Sequence, residues 1–454
     1  MTDQVQSVNT RGIALKILND VNQNGNFSHT VMNKTLNQHQ SLSKQDRAFI
    51  TRICEGTLER MITLDYVMNQ YSTIKVNKMK PLIRNLLRMS LYQIMYMSQV
   101  PDSAVCNEAV KLAKSKGFSN LSGFVNGVLR NITREKEAIA YPLEKDNKLK
   151  YLSVTYSMPE WILKVWLEKY EYAVVKEMLV AFLKEKETTI RCNISKITID
   201  ELETNLMKEQ VKVSSGSYFT QALKIREYNY LSQLESFQKG EFLVQDESSM
   251  IVGAVSGAKS GDYVIDVCSA PGGKALHIAD QLKGTGFVDA RDLTLYKVGL
   301  INENIVRTGF KNIKARVFDA LVLDKDSVEK ADIVVADLPC SGLGVIGKKP
   351  DIKYNMTPDK QRDLVKLQRE ILAVVQNYVK PGGVLLYSTC TINDEENISN
   401  AMWFAKEFGY AFENMDEYLP QNLRSETTKN GYIQCIPGLH ELDGFFVARL
   451  RRIS

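Results

Sequence analysis

The stretch Ile333-Val-Val-Ala-Asp-Leu-Pro-Cys-Ser-Gly-Leu-Gly344 reads as a buried strand that opens into a glycine-containing loop carrying a cysteine. A second stretch, Val384-Leu-Leu-Tyr-Ser-Thr-Cys-Thr391, has the same plan. Short unbroken apolar runs are the pattern of strands covered on both faces, as in a parallel sheet. Such sheets bind ligands in a crevice outside the carboxyl ends of their strands. Cys340 and Cys390 are therefore expected to face one crevice, and the chemistry is expected to depend on a thiol.

Around these two stretches, strand-like and helical runs alternate from about Gly240 onward. Tyr263-Val-Ile-Asp266, Gly286-Phe-Val-Asp289 and Ala315-Arg-Val-Phe318 read as strands, a long helix runs from about Pro358 to Val379, and Gly444–Leu450 reads as a last strand. This alternation predicts a parallel, doubly wound sheet over 240–454. Upstream, residues 5 to about 135 read as a helical bundle. Ile13, Ile17 and Val21 repeat on one helical face, as do Leu87, Leu91, Ile94 and Met95, and then Val125, Val128, Leu129 and Ile132. The polar stretch Glu144–Lys150 reads as a linker. Helical and strand-like pieces beyond it predict a small α+β domain, with Trp161 and Trp166 in its core or interface. The expected organisation is a multidomain chain: an all-α bundle over 1–140, a small α+β domain over 141–239, and an α/β catalytic domain over 240–454.

A chain of 454 residues accommodates about three domains of roughly 150 residues. No apolar run approaches the roughly 20 residues that span a bilayer. The N-terminus lacks the basic and apolar regions of a secretory signal. Seven cysteines at irregular positions form no Cys-x-x-Cys pair, against a zinc site or a disulfide framework. A reduced, cytoplasmic, metal-free protein without a membrane partner is expected, and a monomer. Residues 1–140 hold 18 Lys+Arg against 10 Asp+Glu, whereas the remainder holds 40 against 43. A basic bundle suits an anionic partner. Lys78, Lys80, Arg84, Arg88, Lys111, Lys114 and Lys116 are candidate phosphate contacts, each with a solvated helix face as the plainer explanation.

The loop Asp266-Val-Cys-Ser-Ala-Pro-Gly-Gly-Lys-Ala275 follows a strand and opens a helix, where glycines admit a ligand close to the backbone. A P-loop needs glycine where Cys268 stands and Ser or Thr where Ala275 stands. A Gly-x-Gly-x-x-Gly fingerprint is absent. S-adenosylmethionine fits better, its amine and carboxylate suiting an acid and exposed backbone. Asp292, 26 residues after Asp266, stands where ribose hydroxyls are met, and Asp319 follows the next strand, where an adenine amino group needs an acceptor.

These motifs resemble the signatures of the RNA cytosine-C5 methyltransferases, the NOL1/NOP2/Sun family: Asp266–Lys274, Asp337-Leu-Pro-Cys-Ser-Gly342, Ser388-Thr-Cys-Thr391, and Glu395-Glu-Asn397. Glu55–Arg60, Leu87–Gln93 and Phe124–Arg130 resemble a NusB-type RNA-binding domain. The resemblance covers nearly the whole chain. Ala275, Ser269, Thr391 and Gly347-Lys-Lys349 depart from the family's commoner residues. The resemblance implies a NusB-like bundle joined to a Rossmann-like methyltransferase domain, acting on C5 of a cytosine in small-subunit (16S) ribosomal RNA. It implies S-adenosylmethionine bound by Cys268, Ser269, Ala270, Pro271, Gly272, Gly273, Lys274, Asp292, Asp319 and Asp337. It implies Cys390 as the nucleophile, Cys340 as the thiol that assists product release, and Asp337 and Lys274 at the reacting groups. DNA cytosine methyltransferases use the Pro-Cys thiol instead, so spacing alone leaves the two roles open. A transfer-RNA enzyme and a non-enzymatic antitermination factor are the alternatives.

Overall fold

The computed structural model describes residues 9–39 and 41–453; positions 5–8 of the expected helical stretch lie outside them. Among the described residues, no helix is long and apolar enough to cross a membrane. Contacts divide the chain into two units, one of residues up to Lys184 plus Ile346–Met356, the other of Glu185–Val345 and the residues from Thr357.

The first unit is helical. Its helices include Thr10–Asn24, Lys44–Glu59, Pro81–Tyr96, Asp102–Ser115 and Ser122–Arg134. The ends follow local chemistry. Asn9 accepts from the Gly12 amide, Gly25 closes the first helix at φ 65°, and Pro81 opens the central one. That central helix is buried from Asn85 to Ile94, the state of a helix surrounded by others. Arg88 therefore points inward, 7% exposed, and makes a two-pronged bond to Asp65 at 2.7 and 2.6 Å. This corrects its expected role as a phosphate contact; the apolar residues around it in sequence place it inside. The 144–150 stretch is a turn followed by a helix, Lys148–Tyr156, capped by Asn147. Trp166 is buried and stacks on Phe182, as expected of a core residue.

Ile346–Met356 is tied into this unit by polar bonds. Asp351 accepts from the amide (3.2 Å) and hydroxyl (2.5 Å) of Ser28, and Lys353 Nζ donates to the Glu59 carbonyl at 2.8 Å. Lys353 is 2% exposed, and burial lowers its pKa from 10.5 to about 7, against the pull of Glu59. Between pH 7 and 10.5 the unfolded chain thus holds more protons than the folded one, and stability rises with pH. Replacing Lys353 by Met is expected to remove that rise. Melting temperatures of both proteins across pH 7 to 10 check it.

The second unit holds two sheets. β1 (Thr188–Cys192), β2 (Lys212–Ser215), β3 (Ala222–Arg226) and β4 (Phe242–Val244) form an antiparallel sheet in the order β2-β3-β1-β4. Its apolar face packs with Leu202 and Leu206 of the helix Ile199–Lys208, which starts with a Thr198–Glu201 capping box. The larger sheet contains β5 (Tyr263–Asp266), β6 (Phe287–Asp292), β7 (Ile313–Val317), β8 (Ala331–Asp337), β9 (Val379–Thr389), β10 (Tyr410–Phe412), β11 (Tyr432–Cys435) and β12 (Phe445–Arg452). Its order is β10-β12-β9-β8-β5-β6-β7, with β11 beside β12. β5 to β9 are mutually parallel. β12 runs antiparallel to β9, β10 and β11, which corrects the all-parallel expectation. Phe445–Leu450 is buried on both faces, so its apolar run carries no trace of direction. Successive strands step from β5 outward to β6 and β7, then return to β8 on the other side of β5. The crevice at that reversal lies between the ends of β5 and β8.

Candidate active site

β5 delivers Asp266 to this crevice, and β8 delivers Asp337. The loop after Asp266 is held by Ser269 N–H to the Arg291 carbonyl (2.8 Å) and Ala270 N–H to Asp292 Oδ2 (3.0 Å). Gly272 sits at φ 101°, and a Cβ there would press on Ile301 at 3.2 Å, so glycine alone enters the helix Gly273–Gln281 this way without strain. Asp266 is 1% exposed, and neither carboxylate oxygen has a hydrogen-bond partner. The Ser269 hydroxyl and the Cys268 amide approach it without reaching bonding geometry, and the Ser269 hydroxyl is itself buried and unpartnered. Burial first, and the Asp337 charge second, push the Asp266 pKa from 3.8 up to about 7. Cys268 is a poor nucleophile here, because burial and then the charges of Asp266, Asp292 and Asp337 push its thiol pKa far up.

Asp292 ends β6, next to β5. Its carboxylate already accepts from the Ala270 and Leu293 amides and pairs with Lys297 at 3.0 Å. Asp319 stands two residues past the end of β7 and accepts from the Leu321 amide. The acids at 266, 292 and 319 thus follow three adjacent strands at one edge of the sheet. Leu293, Leu295 and Tyr296 leave this rim exposed and apolar.

On the other side of the reversal, Lys274 Nζ meets Asp337 Oδ2 at 2.7 Å and lies 5.3 Å from the centre of the Phe445 ring. Burial is the largest influence and opposes the lysine's charge, but Asp337, Asp266 and Cys390 together outweigh it, and the pKa rises. Ser388, near the end of β9, donates to the second Asp337 oxygen at 2.7 Å. Cys340 and Cys390 follow β8 and β9, neighbouring parallel strands, and their sulfurs are 3.3 Å apart. Gly344 N–H donates to the Cys390 carbonyl at 3.1 Å, and a Cβ on Gly344 would collide with the Gly444 carbonyl at 2.0 Å. The Cys340 pKa is raised well above 9.0, first by the Cys390 sulfur and then by burial.

Cys340, Cys390, Lys274, Asp337 and Asp266 therefore come together across one crevice. Four polar residues that carried no assigned role also belong there: Ser388, Gln368, Glu396 and Asn397. Gln368 was legible as an oddity, since it shares the apolar stripe of the helix Pro358–Val375 with Ile371, Leu372 and Val375. Glu396 and Asn397 stood in a quoted motif without a role.

A doubly wound sheet with an acid-tipped glycine loop at its reversal is the architecture of the α/β methyltransferase domain. The chain matches three family models: the 16S rRNA methyltransferase RsmB/F over residues 255–451, the NusB family over 8–134, and the RsmF/B-like ferredoxin-like domain over 158–230. It is 36% identical to the probable ribosomal RNA small subunit methyltransferase B of Bacillus subtilis (strain 168), covering 99% of this chain and 100% of that one. It is 31% identical to the protein of the same description from Synechocystis, with 98% and 100% covered. The crystal structure of PH0851 superposes with a TM-score of 0.83 at 25% identity, covering 98% of this chain and 99% of that one. NSun6 from Pyrococcus horikoshii, solved with SFG, shares the fold at a TM-score of 0.58 and 23% identity, with 64% and 97% covered. The chain belongs to the RsmB/F family of 16S rRNA methyltransferases and carries that family's NusB and ferredoxin-like domains.

Proposed function

We propose that the chain methylates C5 of one cytosine in small-subunit ribosomal RNA through a covalent bond between Cys390 and C6. The observation that carries this reading is the pair of sulfurs 3.3 Å apart beside the Lys274–Asp337 ion pair. S-adenosylmethionine fits the adjoining loop. The unpartnered, buried Asp266 carboxylate suits its ammonium group, and Gly273, where a Cβ would meet nothing nearer than Gln245 at 3.9 Å, leaves room for its carboxylate. Asp292 is the candidate for the ribose and Asp319 for the adenine, with Cys268, Ser269, Ala270 and Pro271 lining the approach. When bound, this cofactor supplies an electrophilic methyl group on a cationic sulfur.

C5 of cytosine is a weak nucleophile, and addition of a thiolate at C6 moves electron density onto it. Cys390 is assigned as the attacking thiolate on the resemblance of Ser388–Thr391 to the RNA enzymes, and Cys340, its neighbour at 3.3 Å, as the thiol that stays protonated. Asp337 and Lys274 hold the cytosine N3 and amino edge in register with the sulfur. After methylation the C5 proton passes to water, its electron pair re-forms the C5–C6 double bond, and the C6–S bond breaks toward Cys390. Cys340 offers its S–H to the departing sulfur. A target base within structured RNA must be unstacked to reach this crevice. The test is nucleoside analysis of small-subunit RNA incubated with labelled methyl donor. Label in 5-methylcytidine is expected; label in any other nucleoside rejects the reading.

RNA affinity is assigned to the helical unit. A cleft of about 500 Å³ there is lined by Lys78, Lys80, Phe118, Asn120 and Phe124, which joins exposed ammonium groups to aromatic surface. Replacing Lys78 and Lys80 together by Glu is expected to weaken RNA binding about tenfold and to make its salt dependence shallower by about 1 to 2 in log–log slope. Binding titrations at several salt concentrations measure both.

A further inference from the structure

Glu396 is 0% exposed, in a protein whose need for packing alone gives no reason to bury an anion there. Its Oε1 accepts from the Ser341 amide at 2.8 Å and from Gln368 Nε2 at 3.2 Å, and its Oε2 accepts from the Ser341 hydroxyl at 2.5 Å. Gln368 Nε2 also donates to the Pro339 carbonyl at 2.9 Å. Both residues flanking Cys340 are thereby fixed. The Ser341 hydroxyl also meets the Thr391 hydroxyl at 2.8 Å, and the next residue along, Asn397, donates to the Thr391 carbonyl at 3.0 Å and accepts from the Thr389 hydroxyl at 2.5 Å. The two residues flanking Cys390 are held by the same network. The Tyr387 hydroxyl closes it by donating to the Glu396 carbonyl.

We propose that Glu396 is a positioning residue for product release: by anchoring Ser341 it keeps the Cys340 thiol against the Cys390 sulfur when the C6–S bond breaks. The proposal rests on the assignment of Cys390 to attack and Cys340 to release. In that step the C5–H bond breaks and its proton goes to water. The C5–C6 double bond forms, the C6–S pair returns to Cys390, and Cys340 keeps its proton while hydrogen-bonding the new thiolate. Glu396 also contributes to holding Cys340 protonated, after the larger effects of Cys390 and burial. Thr389 and Thr391, on either side of Cys390, keep their bonds to Asn397 when the Glu396 side chain is lost, so losing the anchor separates release from attack.

The experiment uses the full chain and small-subunit RNA with wild type, Glu396→Ala, Glu396→Gln, Cys340→Ala and Cys390→Ala. Single-turnover methyl transfer, steady-state kcat and KM, denaturation-resistant protein–RNA complex and melting temperature are measured together. For Glu396→Ala, first-turnover transfer is expected within about threefold of wild type, kcat at least about tenfold lower, KM for RNA lowered by about the same factor so that kcat/KM is kept, and the covalent complex accumulated. Glu396→Gln keeps an acceptor for the Ser341 amide and is expected to recover most of kcat. Equal losses in the first turnover and in kcat without complex, or wild-type behaviour throughout, overturns the proposal. If Glu396→Ala does not fold, Gln368→Leu, which frees the Pro339 carbonyl, takes its place with the same outcomes. Methylation by Cys390→Ala, or absence of complex with Cys340→Ala, overturns the underlying assignment instead.

Discussion

Replacing Cys390 by Ala is expected to lower methyl transfer by at least about a thousandfold, the scale for loss of a covalent nucleophile. Nothing nearby substitutes for it. Removing the Cys390 sulfur takes away the largest cause of the raised Cys340 pKa, but burial still raises it, and Cys268 is held as an unreactive thiol by burial and three carboxylates. Replacing Cys340 by Ala has the opposite signature. Attack at C6 proceeds, release stalls, and a protein–RNA complex survives denaturing electrophoresis. If the two variants exchange these phenotypes, the assigned roles are reversed, and the Pro-Cys thiol attacks as in the DNA enzymes.

The second large effect concerns Asp266. Its carboxyl titrates near pH 7 in the cofactor-free protein, pushed up by burial and then by Asp337. The ammonium group of S-adenosylmethionine requires the ionised form. Affinity is therefore expected to fall about tenfold per pH unit below 7 and to level off above it. Asp266→Asn is expected to bind roughly 10 to 100-fold more weakly, the range for a lost hydrogen bond to a charged group, and without that pH dependence. Folding stability moves the other way. The folded carboxyl holds its proton up to about 7 and the unfolded one only to 3.8. Stability without cofactor thus falls as pH rises through that window, and Asp266→Asn removes this fall. Calorimetric titration at pH 6, 7 and 8 checks the first pair of effects, and melting curves check the second. A pH-independent wild-type affinity would remove Asp266 from the amine site.

The parallel strands were legible because both of their faces are buried. Ile333–Ala336 and Val384–Tyr387 announce themselves as apolar runs, and the motif residues follow directly at their ends. The cysteine pair and the three acids needed only that the strands be neighbours. The direction of β12 was not legible, since a strand buried on both faces has one composition for either direction. Nor was the tie of Ile346–Met356 to the helical unit, because Asp351, Lys353 and Tyr354 look like surface residues until their partners Ser28, Glu59 and Ser157 are in place. The same holds for Arg88, whose charge masked its inward face. Glu396 and Gln368 bond across long sequence separations to Ser341 and Pro339, and no local pattern encodes such pairings.

The central claim is tested most directly by bisulfite mapping of small-subunit ribosomal RNA from cells that carry the wild-type chain, the Cys390→Ala chain, or neither. One cytosine protected from deamination with the wild-type chain and fully converted in the other two is the expected result. Protection that persists with Cys390→Ala, or no cytosine whose protection depends on the chain, contradicts it.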